Sequence, residues 1–263
     1  MGNDFDKKRV GTGTAEWAEV NENICRGCAN NCLYCYAASN ANRFGQRKRE
    51  DWAREELTKR ADIKHYPARD GVIMFPSSHD ITPFNVDAYI RVANLILESG
   101  NKLLIVSKPR LECVEKMIDA FMGRQSQILF RFTMGTTDPS ISLFWEPGAT
   151  EPNERHTCLV SAFLGGYHTS VSIEPMLQGF EGTVKLVELI RKFVTDTIWI
   201  GKMNKARLRV PGKYRKEVEW LEELQNDGQI MALYERYNDD PIIRWKDSIN
   251  AVVEKHRGRN GQN

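Results

Sequence analysis

Four cysteines lie within eleven residues, in the segment C-R-G-C-A-N-N-C-L-Y-C that runs from residue 25 to residue 35 and is called the cysteine loop below. Cys28, Cys32 and Cys35 have the spacing C-x3-C-x2-C. A cubane iron–sulfur cluster normally takes four thiolates, so a loop that supplies three leaves one iron open. An open coordination position distinguishes a catalytic metal centre from a structural one. The spacing therefore predicts a metal centre that can bind a small molecule.

Two other interpretations of these cysteines stay open. Cys25 and Cys28 form a C-x2-C pair, so Cys25 could complete a structural zinc site, although zinc ribbons usually carry a second, separated C-x2-C pair. The thiols could also be ordinary buried residues, which free cysteine often is, but four in eleven residues argue against this. Under the cluster interpretation Cys25 packs at the end of the preceding strand, and Cys113 and Cys158 are core residues of helices.

Composition excludes several classes of protein. The 263 residues carry 37 basic and 35 acidic side chains, and this net charge of +2 does not demand a nucleic-acid or membrane partner. No apolar segment approaches the roughly 20 residues that span a bilayer. The first residues, M-G-N-D-F-D-K-K-R, lack the apolar core of a secretory signal. We therefore expect a cytoplasmic protein with reduced cysteines and no membrane partner.

Apolar runs and helical periodicity alternate along the chain. Strands are predicted over residues 17–24, 71–76, 102–107, 127–134, 168–173 and 197–200. Helices are predicted over residues 36–44, 46–59, 86–98, 111–122, 152–164, 183–193, 213–225 and 241–255. This alternation favours a parallel sheet wound by helices. About six strand–helix units predict an α/β fold, a partial (β/α)6 TIM-type barrel, because a closed eight-strand barrel typically needs about 250 residues.

We expect a single domain over residues 1–263. Residues 1–15 would form a flexible arm, residues 16–205 the barrel core, and residues 206–263 a helical extension with a frayed end. In barrels of parallel strands the chemistry lies at the carboxyl ends of the strands. The polar residues that follow each apolar run are therefore the candidates for a site.

Such residues follow most of the predicted strands. They are Ser77, Ser78, His79 and Asp80 after the second strand, Lys108 after the third, Arg131 and Thr133 within the fourth, and Ser172 and Glu174 at the end of the fifth. Simpler roles compete for some of them. Asp80 could bond its own backbone in a turn, Lys108 could be a solvated lysine, and Glu174 could form an ordinary salt bridge.

Together these segments resemble the radical S-adenosylmethionine (SAM) family, in the branch that contains spore photoproduct lyase and related DNA photolyase-like proteins. The similarity covers residues 17–205 and rests on C-A-N-N-C-L-Y-C-Y, S-S-H-D, V-S-K, F-W-E-P-G-A and T-S-V-S-I-E-P-M-L. It implies a [4Fe–4S] cluster on Cys28, Cys32 and Cys35 whose open iron binds SAM. Reductive cleavage of SAM would then give a 5′-deoxyadenosyl radical that abstracts hydrogen from a substrate.

The resemblance also implies roles for single residues. Tyr34 and Tyr36 would flank the cluster, Lys108 would hold the SAM carboxylate, and Thr133 and Glu174 would lie near the ribose and amino group. Further cofactor contacts are expected from Ser78, His79, Asp80, Arg131 and Ser172. In the lyases a cysteine after the second strand returns a hydrogen atom to the product, whereas this chain has Ser77 there. An O–H bond is too strong for that step, so thymine-dimer repair is not carried over.

The resemblance and the basic run of Arg43, Arg47, Lys48 and Arg49 favour a nucleic acid or nucleotide as substrate. A peptide substrate is an alternative, and so is a zinc-stabilised nucleic-acid-binding module without catalysis. A radical SAM enzyme also implies an electron donor such as flavodoxin or ferredoxin.

Overall fold

The computed structural model of the chain describes residues 5, 7, 9 and 11–260, without the side chains of the last two. Over these residues it has nine strands: β1 (Val20–Asn21), β2 (Cys25–Arg26), β3 (Glu56–Leu57), β4 (Val72–Met74), β5 (Lys102–Ser107), β6 (Ile128–Thr133), β7 (His168–Ile173), β8 (Ile198–Ile200) and β9 (Ile243–Trp245). The helices are α1 (Tyr36–Arg43), α2 (Val86–Glu98), α3 (Leu111–Ala120), α4 (Pro139–Trp145), α5 (Pro152–Leu164), α6 (Gly179–Ile190), α7 (Ala206–Arg209), α8 (Arg215–Leu224), α9 (Asp227–Tyr237) and α10 (Asp247–Asn260).

Seven strands form one parallel sheet in the order β1-β4-β5-β6-β7-β8-β9, and β2 and β3 form a separate antiparallel pair. The strands follow one another around the sheet in chain order, and β1 and β9 lie at its two edges. The predicted α/β partial barrel is therefore confirmed, with seven strands where six units were expected.

Alternating side chains of the strands pack on opposite faces of the sheet. Leu103 and Ile105 of β5 belong to the large core that the helices cover. Leu104, between them, belongs to a smaller apolar cluster on the inner face of the sheet. The space inside the barrel that this cluster occupies is called the lumen below. Phe5 and Trp17 fill the lumen, so the segment before β1 supplies part of the inner core.

Several predicted elements are wrong in type or extent. β9 lies where the last helix was expected to begin, and β8 pairs with it at Ile198 and Ile243. Residues 46–59 are not a continuous helix, since they contain a short 3-10 turn and β3. The first strand of the sheet spans two residues only, and helices α4 and α9 were not predicted. These elements are short or strongly polar, so sheet pairing and packing decide them more than periodicity does.

The predicted arm and extension both contribute to the barrel. Residues 1–4, 6, 8 and 10 of the arm and residues 261–263 of the tail lie outside the described residues. Phe5 packs against the ring of His168, with ring centroids 6.0 Å apart. The extension contains helices and also β9, which pairs with β8. The sheet therefore continues past residue 205. The single-domain organisation stays a prediction. Among the described residues, no helix is both long and apolar enough to cross a membrane.

Candidate active site

One cavity of about 360 Å³ opens at the carboxyl ends of the strands, between the sheet and the cysteine loop. Thirteen of the fourteen predicted site residues line it: Cys28, Cys32, Tyr34, Cys35, Tyr36, Ser77, Ser78, His79, Asp80, Lys108, Thr133, Ser172 and Glu174. The polar ends of strands β4 to β7 thus meet the cysteine spacing in a single space, as the parallel sheet requires.

Three of the four loop cysteines share the cavity. Cys28, Cys32 and Cys35 line it, and each is close enough to its neighbours for their charges to interact. Burial raises the pKa of the Cys32 thiol to about 12 and also raises those of Cys28 and Cys35. Cys25 is not among the described residues that line the cavity. Its Sγ lies 3.7 Å from the carbonyl oxygen of Arg26 in β2.

The cysteine loop is held from one side by the start of the α4–α5 connection. The backbone N–H of Leu33 donates to the carbonyl of Trp145 (2.9 Å), and that of Gly148 donates to the carbonyl of Asn30 (3.1 Å). A Cβ on Gly148 would lie 2.0 Å from the carbonyl oxygen of Ala29, so no larger residue fits there without moving the loop. This contact joins the F-W-E-P-G-A segment to the cysteine loop.

Arginine side chains hold the other side of the loop. The Arg49 guanidinium donates to the carbonyl of Cys32 (2.9 Å) and to the side chain of Asn31. Arg47 donates to the carbonyl of Arg26 (3.1 Å) and pairs with Glu56. Two members of the predicted phosphate-binding run therefore bind the protein itself.

Asp80 is the half-buried acceptor that joins the cysteine loop to β5. Its carboxylate accepts from the backbone N–H of Lys108 (2.7 Å), from the Ser107 hydroxyl (3.1 Å) and from the Asn30 amide (2.9 Å). Its Oδ2 lies 3.6 Å from the Cys28 Sγ. Burial alone would raise the pKa of Asp80, but the Lys108 charge and these hydrogen bonds outweigh burial and lower it. Asp80 is therefore more than the local turn residue of the simpler interpretation.

Lys108 reaches into the cavity against a buried group that the sequence analysis missed. Its Nζ lies 3.9 Å from the carboxylate of Glu146, which also pairs with Arg155 at 2.5 Å and accepts from the Tyr34 hydroxyl. Burial opposes the charge on Lys108, but its ionisable neighbours, among them the carboxylates of Asp80 and Glu146, together raise the pKa of Lys108 above the ordinary lysine value. Glu146 lies within F-W-E-P-G-A, which was the signal that could have identified it.

The turn after β4 presents its hydroxyl and carbonyl groups in fixed directions. Asn23 accepts from the backbone N–H of Ser77 (2.9 Å) and donates its amide N–H to the Ser77 hydroxyl (2.8 Å). The Tyr36 hydroxyl donates to the Ser77 carbonyl. His79 Nε2 accepts from the backbone N–H of Ile24 (3.3 Å), and burial lowers the pKa of this imidazole. His79 thus joins the turn to the residue before β2.

Glu174 directly follows β7 and lies near a lysine that directly follows β9. The Lys246 Nζ, with a side chain only 1% exposed, lies 3.6 Å from Glu174 and 2.9 Å from Glu16. It also lies 4.3 Å from the centre of the Trp17 ring. Burial raises the pKa of Glu174, and the Lys246 charge opposes this rise. Lys246 lines the cavity too, and it was missed because a helix was predicted there.

Arg131 lies away from the other predicted site residues. It is buried in the lumen, where its Nε donates to the Ser170 hydroxyl (2.9 Å) and its guanidinium lies over the ring of Trp17 (4.9 Å). Arg131 is absent from the described residues that line the cavity, so its predicted cofactor contact has no support from its position.

The donors in the cavity fit the groups that the cysteine spacing implies. No three His, Cys, Asp or Glu side chains in the described part of the chain converge on a point where they could hold one metal ion. A cubane distributes its cysteines over separate irons, so three thiols on one cavity wall suit it. A buried, protonated lysine beside them suits a carboxylate ligand.

Solved structures share this fold at low sequence identity. A variant of spore photoproduct lyase matches with a TM-score of 0.57 and 16% identity over 91% of this chain and 78% of its own. Another, with bound AdoMet and dinucleoside spore photoproduct, matches at 0.55 and 13% over the same shares. SuiB from Streptococcus suis matches at 0.51 and 10% over 86% of this chain and 48% of its own.

By sequence, no protein-family model and no curated protein matches the chain. The fold alone connects it to known enzymes: the chain has the partial-barrel fold of spore photoproduct lyase and SuiB, both radical SAM enzymes.

Proposed function

We propose that the protein is a radical SAM enzyme that carries a [4Fe–4S] cluster on Cys28, Cys32 and Cys35 and binds SAM beside it. The observation that carries this proposal is the shared cavity, which three thiols, two of them buried, line together with Lys108 and the polar ends of the parallel strands. When bound, the cluster and SAM supply a 5′-deoxyadenosyl radical that abstracts hydrogen from a substrate.

The residues of the chain would bind and orient SAM and would exclude water from the site. Lys108 offers a buried cation for the SAM carboxylate, and Glu146 and Arg155 fix the direction of that cation from behind. Asp80 fixes the backbone from which Lys108 extends. Thr133 and Glu174 present oxygen atoms farther around the same wall, where hydroxyl and amino groups could be bound. The apolar lumen beneath keeps water from the floor of the site.

Reconstitution under anaerobic conditions tests the proposal. The protein should turn brown with about four irons per chain and should convert SAM to 5′-deoxyadenosine under dithionite. Flavodoxin or ferredoxin is the proposed physiological donor and should replace dithionite. A colourless protein that holds one zinc ion per chain would refute the proposal and favour the zinc-stabilised binding module.

We infer that the substrate is a nucleic acid or nucleotide. Support comes from the structure of spore photoproduct lyase, which holds a dinucleoside in the same fold. By the resemblance, the position of the hydrogen-returning cysteine of the lyases falls near Ser77 in this chain, and the Ser77 hydroxyl accepts from the Asn23 amide. The reaction is therefore proposed to differ from dimer repair. A peptide substrate is the alternative. Incubation of the reduced enzyme with SAM and a deuterated polymer of each class distinguishes the two. The true substrate should transfer deuterium into SAM or be consumed.

A further inference from the structure

A strongly basic segment follows β8 at the mouth of the cavity. Residues 202–216 read K-M-N-K-A-R-L-R-V-P-G-K-Y-R-K and contain seven lysines and arginines with no acidic residue. The rest of the chain holds 30 basic and 35 acidic residues, a net charge of −5. The positive charge of this protein is therefore concentrated in one short segment, which is called the basic rim below.

Most charges of the basic rim are available to a ligand. Arg207 pairs with Glu222 at 2.6 Å, and Arg215 lies 3.4 Å from Glu219. The other five, Lys202, Lys205, Arg209, Lys213 and Lys216, make no ion pair with the described residues. Lys205, Lys213 and Lys216 are exposed. Cations that form no ion pair attract a polyanion more strongly than paired cations do.

The basic rim is continuous with the site. Lys202 and Arg209 line the same cavity as the cysteines, and the Arg209 charge acts on the Tyr36 hydroxyl. A chain of phosphates that binds along the rim would therefore pass directly over the cavity mouth. The earlier candidate for phosphate binding is weaker, because Arg47 and Arg49 are already bound to backbone carbonyls near the cysteine loop.

We propose that the basic rim binds the phosphate backbone of a single-stranded nucleic acid and presents one of its nucleotides to the cavity. This deepens the proposed function, on which it rests for the chemistry at the site. A single strand is favoured because the cavity is a pit in the surface, and a base stacked in a duplex cannot enter a pit unless it is first extruded. Lysine and arginine along the rim recognise phosphate without regard to base sequence.

Fluorescence anisotropy with a labelled oligothymidylate of about 20 nucleotides tests this on the full-length chain as purified, without SAM. The rim variant carries Lys205→Gln, Lys213→Gln and Lys216→Gln, three exposed residues outside the cavity lining. Each phosphate contact contributes a slope of about 0.7 to the dependence of log affinity on log salt for single strands. The rim variant should lower the slope by about 2 and weaken binding about tenfold or more near 0.1 M salt.

The control variant carries Lys64→Gln, Lys185→Gln and Lys192→Gln, which remove the same charge from exposed sites outside the basic rim and outside the cavity lining. It should keep the wild-type slope and bind within about twofold. Equal losses in the two variants would overturn the proposal, and so would a wild-type chain that does not bind the oligonucleotide. Poly-glutamate bound as tightly as the oligonucleotide would overturn it in favour of an acidic peptide. Because the assay needs no SAM cleavage, failure of the radical chemistry leaves its result readable.

Discussion

Lys246→Met should strongly destabilise the protein, because it leaves two largely buried carboxylates without their cation. The lysine side chain is 1% exposed, and its partners Glu16 and Glu174 are 11% and 23% exposed. Breaking a buried ion pair by removing one partner costs about 3–5 kcal/mol. The partial exposure of Glu174 places the expected loss near the lower limit, at about 3 kcal/mol.

Urea denaturation of the cluster-free protein, followed by tryptophan fluorescence, measures this loss directly. The ring centres of Trp17 and Trp199 lie 4.3 Å and 5.6 Å from the Lys246 Nζ, so the fluorescence of these two residues reports on its surroundings. In thermal denaturation, a loss of about 3 kcal/mol should lower the melting temperature of a chain of this size by about 6–12 °C. Adding Glu16→Gln to Lys246→Met should restore about 1 kcal/mol, because an uncompensated buried charge is removed.

The same variant should respond to pH in a defined direction. Burial raises the pKa of Glu174 in the folded chain above the ordinary glutamate pKa of the unfolded chain. Between these two pKa values the folded chain holds a proton that the unfolded chain has released. Stability therefore falls over that range. Loss of the Lys246 charge raises the folded pKa further and widens the range, so the deficit should be larger at about pH 8 than at about pH 5.

Lys116→Met is the matched control for the charge change. Lys116 and Asp87 are 54% and 81% exposed and lie 3.0 Å apart, and a surface pair of this kind contributes little. Its loss should change the free energy of unfolding by less than about 1 kcal/mol. If the Lys246 variant were as stable as this control, the reasoning about the buried ion pair would be refuted.

Three further changes probe the cysteine loop. Cys25→Ala should keep about four irons per chain after reconstitution, whereas Cys28→Ala should lose them; equal losses would favour the zinc site. Arg49→Gln should lower the free energy of unfolding by about 1.5–3 kcal/mol through lost bonds to loop carbonyls, whereas the exposed Arg43→Gln should change it little in the same denaturation assay. Gly148→Ala places a Cβ against a loop carbonyl and should cost about 2–3 kcal/mol by calorimetry, with wild-type stability contradicting the contact.

The sequence predicts the parts of this protein that local pattern decides. The bounds of α2, β5 and β7 match the predictions because helical periodicity marks α2, a continuous apolar run marks β5, and β-branched residues after a glycine pair mark β7. The cysteine spacing likewise brings its three thiols into one cavity. Glu146 and Lys246 were missed because their roles come from tertiary contacts. Glu146 meets a tyrosine 112 residues away, and Lys246 meets a carbonyl 233 residues away.

β9 was missed for a related reason. Its three residues, Ile243–Trp245, alternate apolar and polar over too short a run to indicate a strand, and a helix begins two residues later. Pairing with β8 supplies the hydrogen bonds that make this segment a strand. The same misassignment concealed Lys246, which follows this strand directly.

The sheet does not close into a full barrel, because β1 and β9 are its two edges and do not pair with each other. The gap between these two edges is called the seam. Across the seam, Lys246 contacts the carboxylate of Glu16 and the carbonyl of Gly13. A backbone ladder fixes the spacing of two strands rigidly, whereas side-chain contacts can be lengthened or shortened by one substitution. The width of the lumen at the seam therefore depends on the few side chains that meet across it and not on a strand pairing.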